Sequence, residues 1–146
     1  MTEPTLDELE GAALVVRILA EDQAVAGQLR AGEGLRLFDG VAPPGTLRPY
    51  VTCRTIGDPS VHHQRGVSAI RNPMVQVDVW AEDAGQRRRL GAAVRARVDG
   101  FSGYVGQAKV QVVTVEADQG TEEPRGDGGG GWTFRRRMDL SVWYVP

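Results

Sequence analysis

The chain is poor in the residues that carry covalent and metal chemistry. Cys53 is its single cysteine, so no internal disulfide can form. It lies in an apolar run and reads as a small core residue. The two histidines, His62 and His63, are neighbours. Adjacent residues of an extended chain point to opposite sides, and neither a free Cys nor a further His completes a set. Zinc sites use four ligands, or three and a water, so no metal and no cofactor are expected. There is no Ser/His/Asp set, no paired carboxylate on a helix face and no nucleotide fingerprint, and enzymatic activity is not expected. Net charge is also missing: 17 Lys+Arg stand against 19 Asp+Glu, a balance of -2. The basic excess of a dedicated duplex-DNA binder is therefore absent. No apolar run approaches the roughly 18 residues of a membrane span. Glu3, Asp7, Glu8 and Glu10 precede any apolar run, unlike a signal peptide. These features predict a soluble protein made in a cytoplasm, with no membrane partner. Lys109 is the only lysine. Arginine's planar fork suits interfaces, although GC-rich coding produces the same bias.

What is present is strand and helix periodicity. In Met74–Asp83, valines 75, 77 and 79 alternate with Gln76, Asp78 and Trp80, the period of a strand whose faces see different surroundings. Arg71-Asn72-Pro73 before it is a turn signal. Thr5-Leu6-Asp7-Glu8 reads as a capping box opening a helix over about 6–20, with a short helical piece following to about Arg30. Residues 35–38 read as extended, and Asp39–Gly45, with Pro43-Pro44, reads as a loop. Residues 49–56 are rich in β-branched residues and read as a strand. Asp83 and Gln86 predict the start of a second long helix, Leu90, Val94 and Val98 its buried stripe, and Gly100 its end. Lys109–Ala117 and Trp132–Val145 read as strands. In the latter, Phe134, Met138, Leu140, Val142 and Tyr144 share one face, while Arg135, Arg137, Asp139, Ser141 and Trp143 share the other.

Two stretches read as flexible loops. Residues 57–73 are long and polar, which marks a working or flexible loop. Residues 118–131 end in four glycines and carry several acids, too little apolar surface to offset ordering. The predicted fold is one α+β domain over 1–146, with two helices packed on one face of a mainly antiparallel four- to five-stranded sheet.

The arginine triplets 87–89 and 135–137 do not form single patches, because consecutive residues diverge on a helix and alternate on a strand. Arg125-Gly126-Asp127 spells an adhesion tripeptide, but in a glycine-rich tip it arises by chance. Gly128–Gly131 is no phosphate loop, since a strand and not a helix follows. The strongest candidate is the polar sheet face: Gln76, Asp78 and Trp80 with Arg135, Arg137, Asp139 and Trp143. It reads either as a solvated face or as a surface that meets another subunit or lines a channel, since Trp and Arg are typical anchors.

The ordered set formed by Ala42-Pro-Pro-Gly45, Arg48-Pro-Tyr-Val51, Val75-Gln-Val-Asp-Val-Trp-Ala81, Val98-Asp-Gly-Phe101 and Arg136-Arg-Met-Asp-Leu-Ser-Val-Trp-Tyr144 covers most of the chain. It resembles the tail terminator, or tail completion, family of long-tailed bacteriophages and gene transfer agents. The resemblance implies a structural virion protein at the tail–neck junction, assembled in the bacterial host cytoplasm. It implies a homohexameric ring that ends the tail tube, partnered by itself, the tail tube protein and a head–tail connector or stopper protein. DNA would pass through the ring without sequence-specific contact. The two loops, with His62, His63, Arg65, Arg125 and Asp127, would then contact the tube or the connector. Three other readings are another neck ring protein, a small-ligand-binding α+β domain, and an enzyme with its site in 57–73.

Overall fold

In the computed structural model, residues 10–63, 66–126 and 130–146 are described. The capping box at Thr5–Glu8, together with Arg65 and Asp127, falls outside them.

Helix α1 spans Ala12–Ala20 and follows Gly11, whose positive φ of 47° suits glycine. Its first free amide, on Ala12, donates to Thr55 Oγ1 at 3.0 Å, which ties the helix start to the sheet. Helix α2, Gln23–Leu29, is capped by Asp22, which accepts from the Val25 amide. A two-stranded ribbon, β1 (Arg30–Ala31) and β2 (Gly34–Leu35), leads to β3 (Leu37–Asp39). Strands β4 (Tyr50–Gly57), β5 (Ser60–His63), β6 (Gly66–Arg71) and β7 (Met74–Ala81) follow. Helix α3, Ala84–Val98, starts as its sequence requires: Asp83 accepts from the Gln86 amide at 2.7 Å, and Gln86 reaches back to the Glu82 amide at 2.8 Å. Gly100, with φ 82°, ends it. The chain closes with β8 (Gly103–Val105), β9 (Ala108–Pro124) and β10 (Trp132–Val145).

Among the described residues, eight strands form the main sheet. Its body runs β3-β4-β7-β10-β9-β8, and β6 and β5 continue from the far end of β10. All pairings are antiparallel except β3 with β4, which is parallel. α1 and α3 pack against the sheet, and α2 packs on both of them. The core between the layers holds Leu14, Ile18 and Leu19 of α1, Leu90, Val94 and Val98 of α3, and Val75, Val77, Val79, Met138, Leu140 and Val142 of the sheet.

The expected fold of two helices on four to five mainly antiparallel strands is thus corrected: the described residues form three helices on a mixed, eight-stranded sheet. Two causes can be named. The extended piece at 37–39 pairs in parallel with Val51–Cys53, which composition cannot reveal. The stretches read as loops are also largely strand. β5 and β6 pair within 57–73, and β9 runs through 118–124 opposite β10. Such ladders need only backbone partners, so polar composition does not forbid them. Asn72-Pro73 is the joint between β6 and β7. Asn72 donates to Ser141 Oγ and the Val142 carbonyl, and the Val142 amide donates to the Pro73 carbonyl. Among the described residues, no helix is long and apolar enough to cross a membrane.

Candidate functional site: a polar sheet face

Alternation on β4, β7 and β10 sends one residue set into the core and the other to the face without helices. Val51, Cys53, Val75, Val77, Val79, Met138 and Leu140 go inward and are fully buried. Tyr50, Thr52, Arg54, Gln76, Asp78, Trp80 and Arg135 go outward and line a cavity of about 300 Å³, closed on one side by Gly40–Ala42.

Asp78 is only 6% exposed. A carboxylate so enclosed needs charged or hydrogen-bonding partners, and β10 and its own strand supply them. Arg135 Nε donates to Asp78 Oδ1 at 2.8 Å, and Gln76 Nε2 donates to Asp78 Oδ2 at 2.6 Å. Arg54 Nη2 donates more weakly to Gln76 Oε1 at 3.4 Å. The Arg135 guanidinium also lies 4.9 Å from the centre of the Trp80 ring, a cation–π contact. Trp80 stacks on Tyr50 at 5.8 Å, and Tyr50 meets Phe38 edge-on at 6.4 Å. Trp80 Nε1 donates to Thr52 Oγ1 at 3.2 Å. The row from β10 to β3 is therefore internally paired. Both Asp78 oxygens are hydrogen-bonded. What this surface offers is shape, stacking and hydrogen bonding.

The remaining predicted residues are distributed as follows. Arg137 and Asp139 pair with each other at 3.1 Å beside a second cavity of about 220 Å³, which Ala117 and Gln119 also line. The hydrogen bond to Asp139, then its charge, raises the Arg137 pKa further. Trp143 is half-buried opposite Val112, away from the Asp78 cluster. His62 and His63 lie on β5, in register with Val67 and Gly66. Arg125 Nη1 sits 3.8 Å from Glu82 Oε2 at the far end of the β9–β10 hairpin. The face predicted from sequence thus holds one hydrogen-bonded cluster around Asp78, an Arg137–Asp139 pair in register beside it, and a tryptophan further along β10.

Sequence reasoning missed two groups. Tyr50, Thr52 and Arg54 complete the cavity, and their alternation with Val51 and Cys53 was the available signal. The second group lies on the helix side. Arg136 shares its face with Met138 and is covered by α3. It holds Asp118 through Nε at 2.8 Å and Nη2 at 2.7 Å, and Arg95 Nη1 adds a third bond at 2.7 Å. The Arg136 bond, ahead of that from Arg95, keeps the Asp118 carboxyl below the usual range against the opposing effect of burial. Gly91 on α3 makes room for this arginine, since a β-carbon there would sit 2.5 Å from Arg136 Nη1. Among the described residues no cluster of three or more His, Cys, Asp or Glu could hold a metal ion.

Comparison with known proteins follows the same outline. A chain from a structure titled "Virion of native gene transfer agent (GTA) particle" matches with a TM-score of 0.60 at 16% identity, covering 89% of each chain. At that identity the likeness speaks for the fold alone. No curated protein matches the sequence. The family described as "Tail completion protein gp17" matches residues 13–145, from within α1 to the last residue of β10. With all but the first helical residue inside that match, the chain belongs to the tail completion protein gp17 family, structural proteins of bacteriophage tails.

Proposed function

We propose that the protein acts as a ring. Six copies close a homohexamer that ends the tail tube and joins it to a head-side connector or stopper protein, at the tail–neck junction. DNA passes through the ring without sequence-specific contact. The observation that carries this reading is the family match over residues 13–145. Two features of the chain agree with it. One sheet face is free of helices and presents Trp80, Arg135, Arg137 and Trp143, residue types that anchor interfaces. Two of its arginines are paired with acids by the Asp78–Arg135 and Asp139–Arg137 contacts, which weakens its pull on phosphates. We assign Gln76, Asp78, Trp80, Arg135, Arg137, Asp139 and Trp143 to the subunit interface or channel face. The hairpin ends around 57–73 and 118–131, with His62, His63, Arg65, Arg125 and Asp127, are assigned to contacts with tube or connector. The chain acts as one domain over its whole length, assembled in the host cytoplasm.

The test is the double substitution Arg135→Glu with Arg137→Glu, read by native mass and by electron microscopy of tails assembled with the protein. Loss of the ring is expected. Intact rings and tails of normal length would reject this placement of the face. The cavity of about 300 Å³ supports a second reading as a small-molecule site, being at the lower end of the usual volumes. A monomer that binds a metabolite would favour it.

A further inference from the structure

The sheet body has two incompletely covered edges, and they are complementary. On one side, β3 covers β4 only at Val51–Cys53. From Arg54 to Gly57 the outer edge of β4 has no strand partner among the described residues; its one tie is the side chain of Thr55, which accepts from Ala12. On the other side, β8 covers β9 at Ala108–Val110, and the turn after α3 covers Val113 and Val115. From Glu116 to Gly120 only β10 pairs with β9 among the described residues. Open edges of this kind are templates for another chain and are ordinarily blunted.

Three relations match the two edges. The first is strand direction. β4, β7, β10 and β9 alternate through three antiparallel steps, so β9 of one copy laid beside β4 of the next continues the alternation. The second is level. Arg54 faces Gln76, Gln76 faces Asp139, and Asp139 faces Ala117, next to Glu116. The two open edges are thus the opposite ends of one row across the sheet. The third is charge and face. Arg54 is exposed and lines the cavity on the helix-free face. Glu116 is exposed and accepts from Thr114, which stands opposite Ser141 on that same face. Ile56, 42% exposed at the β4 edge, gives the contact an apolar member.

We propose that these edges form the junction between copies: the Glu116–Gly120 edge of one meets the Arg54–Gly57 edge of the next, with Glu116 against Arg54. The contact is head-to-tail, using different patches on the two partners, which is the interface type that closes rings. The inference rests on the ring reading and names residues other than those substituted in the test above.

The experiment uses the full chain and three variants: Arg54→Glu, Glu116→Arg, and the two together. Both side chains are exposed, so the folded monomer, followed by circular dichroism, should be unchanged. Each single variant places like charges at every junction and should raise the concentration for half-assembly at least about tenfold. The double variant restores opposite charges and should return to within about threefold of wild type. An Arg54→Cys, Glu116→Cys protein should form a ladder of disulfide-linked copies on oxidation, whereas neither single variant should. Single reversals that assemble normally, or a double variant that fails to recover, would overturn the junction while leaving the ring intact. A wild-type chain that never forms rings, alone or with tail tubes, would remove the ring and the junction with it.

Discussion

Replacing Asp118 by Asn tests the ion pair that ties β9 to β10 beneath the long helix. Asp118 accepts from Arg136 Nε and Nη2 and from Arg95 Nη1, at 2.7–2.8 Å. Asn keeps the shape but loses the charge and one acceptor oxygen. Arg136 is then left half-buried beneath α3 without its counter-ion. A charge-assisted bond contributes about 1.5–3 kcal/mol when enclosed. The Asp118 side chain is 11% exposed and that of Arg136 21%, so the Arg136 pair sits between a surface and a buried one. Arg95, at 44%, adds little. A loss of about 2 kcal/mol at pH 7 follows, or roughly 4–8 °C in melting temperature for a chain of this size. The pH dependence has a definite sign. The folded carboxyl is held below its unfolded pKa, so its stabilisation is present above about pH 4 and fades as pH falls through the folded value. Melting curves by calorimetry from pH 7 to pH 2.5 should therefore converge for wild type and Asp118→Asn on the acid side. Equal stability at pH 7, or a gap that stays constant down to acid, would refute the view that this ion pair clamps β9 to β10.

Two further outcomes follow from packing. Gly27→Ala and Gly91→Ala both remove a helical glycine, a change that by itself stabilises by about 1 kcal/mol. Nothing lies within 4 Å of a β-carbon at Gly27, whereas at Gly91 it meets the pinned Arg136; thermal melts should rise for the first and fall for the second. Cys53 is fully buried, and burial, ahead of the Asp39 and Asp78 charges, pushes its thiol pKa up beyond the ordinary range. It should resist iodoacetamide at pH 8 in the native protein and react once urea unfolds it; rapid native labelling would contradict the core placement.

Periodicity made one half of this fold readable. The valines of β7, the alternation along β10 and the Leu90–Val94–Val98 stripe each fix which side of an element is buried, and capping chemistry fixed where α3 begins and ends. Periodicity says nothing about which strands are neighbours. The parallel pairing of Leu37–Asp39 with β4 joins segments separated by a long loop, and no local signal announces it. The polar tracts at 57–73 and 118–131 misled for a different reason. A strand ladder needs no apolar face, because its backbone groups satisfy one another across it. Composition measures what can be buried, and the β9 residues 119–124 are mostly exposed.

The arginine triplet of β10 shows how the same rule bears on function. Arg135 and Arg137 point to the open face, where Asp78 and Asp139 neutralise them. Arg136 points the other way and binds Asp118 under α3. Three identical residues in a row thus divide into two surface pairs and one internal clamp, and the division is set by the pleat alone. The clamp also ties β9 to β10 within the open edge, since Asp118 lies two residues from Glu116. A weakened Arg136–Asp118 pair should therefore loosen the edge that meets the next copy, so Asp118→Asn should impair ring formation at temperatures well below its melting point. Rings as stable as wild type from a destabilised Asp118→Asn chain would show that the β9 edge is not part of the junction.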